Sequence, residues 1–189
     1  MALVVFLRGV NVGGHRTFRP TLLAAQLQHL DAVNIGAAGT FLIRQPISQE
    51  QLRAELGRRL PFDAGITLCR GGEIVKLVSR GPFAEYSARG DIIRFVSVLP
   101  RRPRPMPALP MTLSAGRQWL VKVLACDGRF VLGVHRRQMK VIGCLGALDR
   151  VFGMPLTTRN WNTIIAVATR LAESSSEDAR LLARAGHSQ

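Results

Sequence analysis

Two segments contain residues that suit ligand contact better than regular structure. One follows an apolar run near the beginning of the chain, and the other, Thr157–Thr163, lies near its end. The candidate binding residues of the first segment are Arg8, Gly9, Asn11, Gly13 and Gly14. A strand that ends in such a loop exposes backbone N–H groups, which bind anions, and the arginine at the strand end can contact a carboxylate or phosphate. The alternative is a turn that needs these residues only for its backbone shape.

Two nucleotide-binding motifs are absent from this loop. The order G-x-G-x-x-G does not occur, and His15-Arg16 stands where a P-loop needs Lys followed by Ser or Thr. A nucleotide triphosphatase is therefore not predicted.

The closing segment is predicted to begin a helix that runs from about Thr158 to Ala172. Its candidate binding residues are Arg159, Asn160, Asn162 and Thr163. Asparagine and threonine are poor helix formers, and an arginine at a helix start opposes the helix dipole unless an anion or carboxylate is near. Two interpretations remain open, namely internal bracing against another part of the protein and a binding site.

We expect the two segments to meet in space, because each contains more polar and glycine positions than its own element can use. Contact would bring Arg8 close to Arg159. Two like charges at close range need a negative group between them, and neither segment contains an acidic residue. The sequence therefore predicts a bound anion at this point, with Lys140 as a third candidate positive charge.

The two end segments resemble those of DUF1697, an uncharacterised bacterial domain-of-unknown-function family, whose members open with LRGINVGG and close with TARNWNT. The resemblance implies two packed α+β lobes and no established activity. Relatives carry Gln-Ser-Gly-Asn where this chain has Ala37–Thr40, and Gly-x-Ser-Lys where it has Arg137–Lys140. Lys140 is retained, but Met139 replaces the serine, so a hydroxyl nucleophile is excluded at that position.

The order of elements predicts an α+β fold of two packed lobes, the N-terminal one ferredoxin-like with a split βαβ arrangement. Residues 1–99 form this lobe, 100–110 a Pro/Arg-rich connector, 111–173 a smaller α+β lobe and 174–189 a frayed tail. The predicted strands include Leu3–Leu7, Val33–Ile43, Gly65–Arg70 and Ile92–Leu99, with a hairpin turn at Asp127-Gly128. Helices are predicted from Pro20, from the capping box Ser48–Gln51, and over Gly72–Ser79 and Arg137–Phe152.

Composition excludes several classes of protein. The net charge of +14 arises from 26 basic and 12 acidic residues, which indicates either dispersed solvated arginines or a surface for polyanions. Three scattered cysteines and four scattered histidines predict no disulfide framework, no metal site and no cofactor. No apolar run is long enough to span a membrane, so we expect a cytoplasmic location.

The best-supported interpretation is a protein that binds a small anionic or nucleotide-like ligand between the glycine-rich loop and the last helix. A non-specific nucleic-acid-binding module and an interaction protein without a ligand are the alternatives. No catalytic constellation is recognisable, and the sequence does not determine the ligand or the oligomeric state.

Overall fold

The computed structural model describes residues 1–10, 18–86, 90–115 and 118–185, with the backbone alone at residues 115 and 175–185. It contains two antiparallel sheets and confirms the predicted α+β class. The strands are β1 (Leu3–Arg8), β2 (Ala32–Asn34), β3 (Thr40–Ile43), β4 (Gly65–Arg70), β5 (Ile92–Val98), β6 (Met111–Ala115), β7 (Gln118–Asp127), β8 (Phe130–Arg136) and β9 (Thr157–Asn160). The α-helices are α1 (Pro20–Gln26), α2 (Gln49–Arg59), α3 (Gly71–Ser79), α4 (Val141–Phe152) and α5 (Trp161–Ala185).

The first sheet has the order β2-β3-β1-β4, and each neighbouring pair is antiparallel. β1 and β2 therefore run in the same direction on either side of β3, joined by α1. β3 and β4 likewise run in the same direction on either side of β1, joined by α2. The connectivity is that of two interleaved split βαβ units.

The helices α1 and α2 cover one face of this sheet. Leu27, which follows α1, and Leu52 and Leu56 of α2 are fully buried in one core cluster with alternate residues of β1 such as Val5 and Leu7. The capping box predicted at Ser48 is present, because its hydroxyl accepts from the backbone N–H of Gln51 and the Gln51 side chain accepts from that of Ser48.

The prediction of one continuous strand over Val33–Ile43 was wrong. The segment forms the hairpin of β2 and β3, with a turn that contains Gly36 at φ 74° and Gly39 at φ 71°. Both angles lie in the left-handed region that glycine adopts without a steric cost, so the two glycines reverse the chain where the apolar pattern alone indicated continuation.

The second sheet has the order β6-β7-β8-β5-β9. β5, which the sequence placed in the N-terminal lobe, pairs with β8 and β9, so the boundary at residue 99 does not follow the sheets. Each neighbouring pair in this sheet is antiparallel as well. The β7–β8 loop is Gly128-Arg129, one residue later than predicted, since Asp127 still pairs with Phe130.

The two sheets share a core. The second face of the first sheet contributes Val4 and Phe6, which join Val96 and Leu132 of the second sheet and Trp161 of α5 in one buried cluster. The opposite face of the second sheet packs on α4. Within the described residues, both faces of the first sheet are covered.

Four helix boundaries differ from the predictions. The helix α3 begins one residue earlier than predicted, at Gly71. The helix α4 begins at Val141 and not at Arg137, and α5 begins at Trp161 because Thr157–Asn160 is paired as β9. Residues 174–185, predicted as frayed, continue the α5 backbone. The run of alanine, leucine and arginine at its end favours helix once a packed helix precedes it.

Candidate functional site

Arg159 joins β9 to the end of β1. Its side chain is only 7% exposed. Nη2 donates to the carbonyl oxygens of Leu7 and Ala38, each at 2.6 Å, and of Gly39 at 3.2 Å. Nε donates to Oγ1 of Thr40 at 2.7 Å. The closing segment therefore reaches the end of β1 through Leu7, the residue before the first segment, and contact with the Arg8–Gly14 segment itself stays a prediction.

The environment of this guanidinium is neutral. Nη1 donates to the carbonyl oxygen of Thr158 at 2.8 Å, and the Phe6 ring lies 5.8 Å from Cζ. Among the described residues no carboxylate pairs with Arg159. Burial lowers the pKa of Arg159 to about 10, so it stays protonated at neutral pH. Five hydrogen bonds to neutral acceptors hold the buried charge.

The alternation of side chains along β9 places Arg159 against the first sheet. Thr157 and Arg159 alternate with Thr158 along the strand, and both are buried towards the first sheet. Thr157 hydrogen-bonds across to Thr67 of β4 at 3.2 Å, while Thr158 hydrogen-bonds to Ser97 of β5 at 2.7 Å. The side chains of Thr157–Arg159 therefore make hydrogen bonds within the protein, which supports the interpretation that this segment braces one sheet against the other.

The partner of Arg8 is a carboxylate of the protein. Its Nη2 lies 2.5 Å from Oδ2 of Asp149, in the last turn of α4. The other carboxylate oxygen of Asp149 accepts from the backbone N–H of Leu156 at 3.2 Å. The prediction of an anion bound between Arg8 and Arg159 was therefore wrong in its reasoning, because Asp149 neutralises one arginine and neutral acceptors surround the other.

The remaining candidate binding residues differ in their exposure, and some lie outside the described residues. Gly9, Asn160 and Asn162 are exposed and Thr163 is half-buried. Asn11, Gly13 and Gly14 lie outside the described residues. Asn160 ends β9 and Asn162 and Thr163 begin α5, so the predicted helical first turn does not include Arg159.

Lys140 does not join the group. It precedes α4 at the end opposite Asp149, and nine residues of helix separate the two, or about 13 Å at 1.5 Å per residue. The third predicted positive charge therefore belongs to a different region of the surface.

Sequence reasoning missed two contributors to this site. The turn before β3 supplies Ala38 and Gly39 as acceptors for Arg159, and the first residue of β3 supplies Thr40. All three fall within the segment that differs from DUF1697 relatives. Asp149 was missed because only acidic residues inside the two end segments were considered. A search for a lone acidic residue in the last turn of α4, unfavourable to the helix dipole, gives a signal that points to it.

The Cys69 thiol and the face of the first sheet are unsuited to nucleophilic catalysis and to base stacking, respectively. Burial raises the pKa of Cys69 to about 12, so this thiol is not a nucleophile at neutral pH. Base stacking on the first sheet is not available either, since Phe6 is fully buried against the second sheet.

Within the described residues, no group of three or more His, Cys, Asp or Glu side chains is placed to hold a metal ion. No helix in the described ranges has the length and apolarity needed to cross a bilayer.

The comparisons with known proteins bear on the fold. No protein-family model and no curated protein sequence matches the chain. A solved structure, that of a conserved bacterial protein from Streptococcus pneumoniae, is similar with a TM-score of 0.55 over 89% of this chain and 97% of that chain, at 13% sequence identity. The similarity shows that the two chains share a fold.

Proposed function

We propose that the protein binds a small anionic ligand at the end of β1, with Arg8 as the contacting cation. The proposal rests on the hydrogen-bond donors of the Arg8 guanidinium that its contact with Asp149 leaves unused. Its side chain is 36% exposed, and Asp149 is its partner among the described residues through a single nitrogen. A guanidinium has five N–H donors, so donors remain for a second oxyanion.

The Arg159 hydrogen bonds give this site a rigid frame. They fix the carbonyl oxygen of Leu7, the residue before Arg8, to the turn at Ala38 and Gly39. Gly9, at φ 74° and exposed, follows directly and leads into the glycine-rich segment. A ligand group positioned on such a frame needs little ordering of the protein on binding, which favours affinity.

The competition between Asp149 and a ligand for Arg8 provides the test. Asp149→Asn removes the competing negative charge and keeps an oxygen that accepts from Leu156. Arg8→Gln removes the cation. With pyrophosphate as the probe, thermal-shift titrations should show tighter binding in Asp149→Asn and weakened binding in Arg8→Gln. A ligand at a hundred times its dissociation constant stabilises the fold by about 2.7 kcal/mol, which is readily measured.

The matched control is Arg53→Gln. Arg53 is exposed and donates to one carbonyl oxygen, that of Ile66, at 2.8 Å. Its loss changes the net charge by the same amount as Arg8→Gln and should leave pyrophosphate binding unchanged. Equal weakening in the Arg8 and Arg53 variants, or no gain in Asp149→Asn, would contradict the proposal.

A second candidate function is non-specific binding of nucleic acid. It is favoured by Arg101, Arg102 and Arg104, which line one cavity of about 480 Å³ on the connector and are all exposed. Each phosphate contact contributes about −0.9 to the slope of log affinity against log salt, so three contacts give a slope of about −3. Replacing the three arginines by glutamine should remove most of this slope. Strong preference for one sequence at physiological salt would contradict this function.

We also infer that the chain belongs to DUF1697. The inference is supported by the two end segments and by the α+β architecture that the family resemblance implies. Three free cysteines are in keeping with the reducing cytoplasm that we propose as its location.

A further inference from the structure

A β-bulge in β7 places an aromatic ring among positive charges. Leu113 of β6 pairs with Val121, whereas the next residue, Ser114, pairs with Trp119. Leu120 is therefore an extra residue in β7, and both it and Val121 pack in the core beneath α4. The extra residue shifts the alternation of side chains between the two faces of the sheet. Trp119 and Lys122 therefore both lie on the face opposite α4, where Trp119 packs beside the core shared by the two sheets.

Two cations contact the Trp119 ring. Nζ of Lys122 lies 4.7 Å from the ring centroid, and Cζ of Arg136 on β8 lies 4.5 Å from it. Arg94 of β5 completes a row, because Arg94 and Lys122 both pair with Val134 from opposite sides. The three positive side chains thus share one face across three adjacent strands, and all are half-exposed. We name Arg94, Trp119, Lys122 and Arg136 the Trp119 cluster.

The hydrogen-bonding capacity of this cluster is not used up. Nε of Arg136 is buried and has no hydrogen-bond partner within the described residues. Asp91 pairs with Nη1 of the same guanidinium at 3.6 Å, beyond ordinary hydrogen-bond length. Arg94 donates to the carbonyl oxygen of Tyr86 at 3.4 Å, also a long contact. Among the described residues, Asp91 is the one carboxylate that pairs with a cation of the cluster, so the cluster keeps positive charge and N–H donors for an anionic ligand.

We propose that the Trp119 cluster binds the phosphate group of a small phosphorylated ligand. A guanidinium stacked on an aromatic ring keeps its edge N–H donors free, and these match phosphate oxygens in geometry. A phosphate has several acceptor oxygens and up to two negative charges, so it can contact more than one of the three cations at once. A nucleotide and a free phosphate offer the same group. The site shares no residue with the one proposed at Arg8.

The two tryptophans of the chain make the proposal directly measurable. Trp161 is 6% exposed and lies in the core, whereas Trp119 is half-exposed beside the cations. Titration of the full chain with inorganic phosphate, pyrophosphate or AMP, at constant ionic strength, should produce a saturable change in tryptophan emission. The change should persist in Trp161→Phe and in Arg8→Gln, which separates this site from the one at the end of β1.

Variants within the cluster decide between binding and a general salt effect. Arg136→Gln and Lys122→Gln should each weaken phosphate binding at least tenfold, while Arg53→Gln, the loss of an exposed charge elsewhere, should not. Circular dichroism and melting temperature establish that each variant is folded. Arg94→Gln is the second variant for the case that Arg136→Gln does not fold. A non-saturable emission change, the same response to sodium chloride, or unaltered affinity in the folded cluster variants would overturn the proposal. Equal affinities for AMP and free phosphate would identify the phosphate as the recognised group, and tighter binding of AMP would identify a nucleotide.

Discussion

Replacing Arg159 by methionine should destabilise the fold strongly although it removes a buried charge. Methionine has a similar length and fills the apolar part of the space, but it cannot donate. The carbonyl oxygen of Leu7 and the hydroxyl oxygen of Thr40 are buried, and they accept from Arg159 at 2.6 Å and 2.7 Å. Both oxygens lose this donor in the variant, and the contact between β9 and the first sheet is lost with it.

The magnitude follows from opposing effects. A buried acceptor left without a partner costs about 1–3 kcal/mol, so two such oxygens cost about 2–6 kcal/mol. Removal of the buried charge returns part of its desolvation free energy, which offsets some of this loss. We expect a net decrease of about 3 kcal/mol in the free energy of unfolding, which corresponds to a fall of about 1 M in the urea midpoint.

Urea denaturation followed by circular dichroism measures this decrease. Arg53→Met is the matched control, because it removes an exposed guanidinium with one bond to a backbone carbonyl. Its effect should stay below about 1 kcal/mol. An Arg159→Met variant as stable as the wild type would refute the reasoning, since it would mean that desolvation of the cation cancels its five hydrogen bonds.

Three further predictions concern stability. Ser48→Ala removes the observed cap of α2 and should lower the free energy of unfolding by about 1 kcal/mol in a denaturant titration; an unchanged midpoint would contradict the cap. Gly133→Ala should lower the free energy of unfolding by about 1–3 kcal/mol, because a Cβ there would lie 2.4 Å from the Phe95 ring. Gly146→Ala should raise it by about 0.5–1 kcal/mol, because a Cβ at this position of α4 meets open space. Changes of the same sign in both variants would be inconsistent with this packing. The raised pKa of Cys69, about 12 in place of 9.0, makes the folded state bind more protons than the unfolded state above pH 9. Stability should therefore fall as pH rises from 9 towards 12, by at most about 1.4 kcal/mol per pH unit, and Cys69→Ala should show a shallower fall; identical slopes would exclude this linkage.

Local signals determined much of the fold. The capping box at Ser48, the proline that begins α1, and the short apolar run of β1 each specify their element through contacts within a few residues. These are the cases in which sequence and structure agree. The glycines at 36 and 39 were visible too, but their positive φ, and so the hairpin, depends on the pairing of β3 with β1.

The parts that sequence did not predict depend on tertiary contacts. Residues 157–160 have a helix-cap pattern, yet pairing with β5 and burial of Arg159 favour a strand. Asp149 follows Arg8 by 141 positions, and no local pattern joins them. Arg159 of the closing segment contacts Leu7, the residue before the first segment, whereas contact with the first segment itself stays a prediction. That Arg159 is held by neutral acceptors follows only from the geometry of the β2–β3 turn.

The central claim, that Arg8 is the cation that meets an anionic ligand, is tested most directly by nuclear magnetic resonance of the arginine side chains. In a ¹⁵N-labelled protein the Nε–H signal of Arg8 can be assigned by its absence from the Arg8→Gln spectrum. We predict that titration with pyrophosphate shifts this signal saturably, and more strongly in Asp149→Asn than in the wild type. An Arg8 signal that stays in place, or that moves in proportion to salt together with all other arginine signals, would contradict the claim.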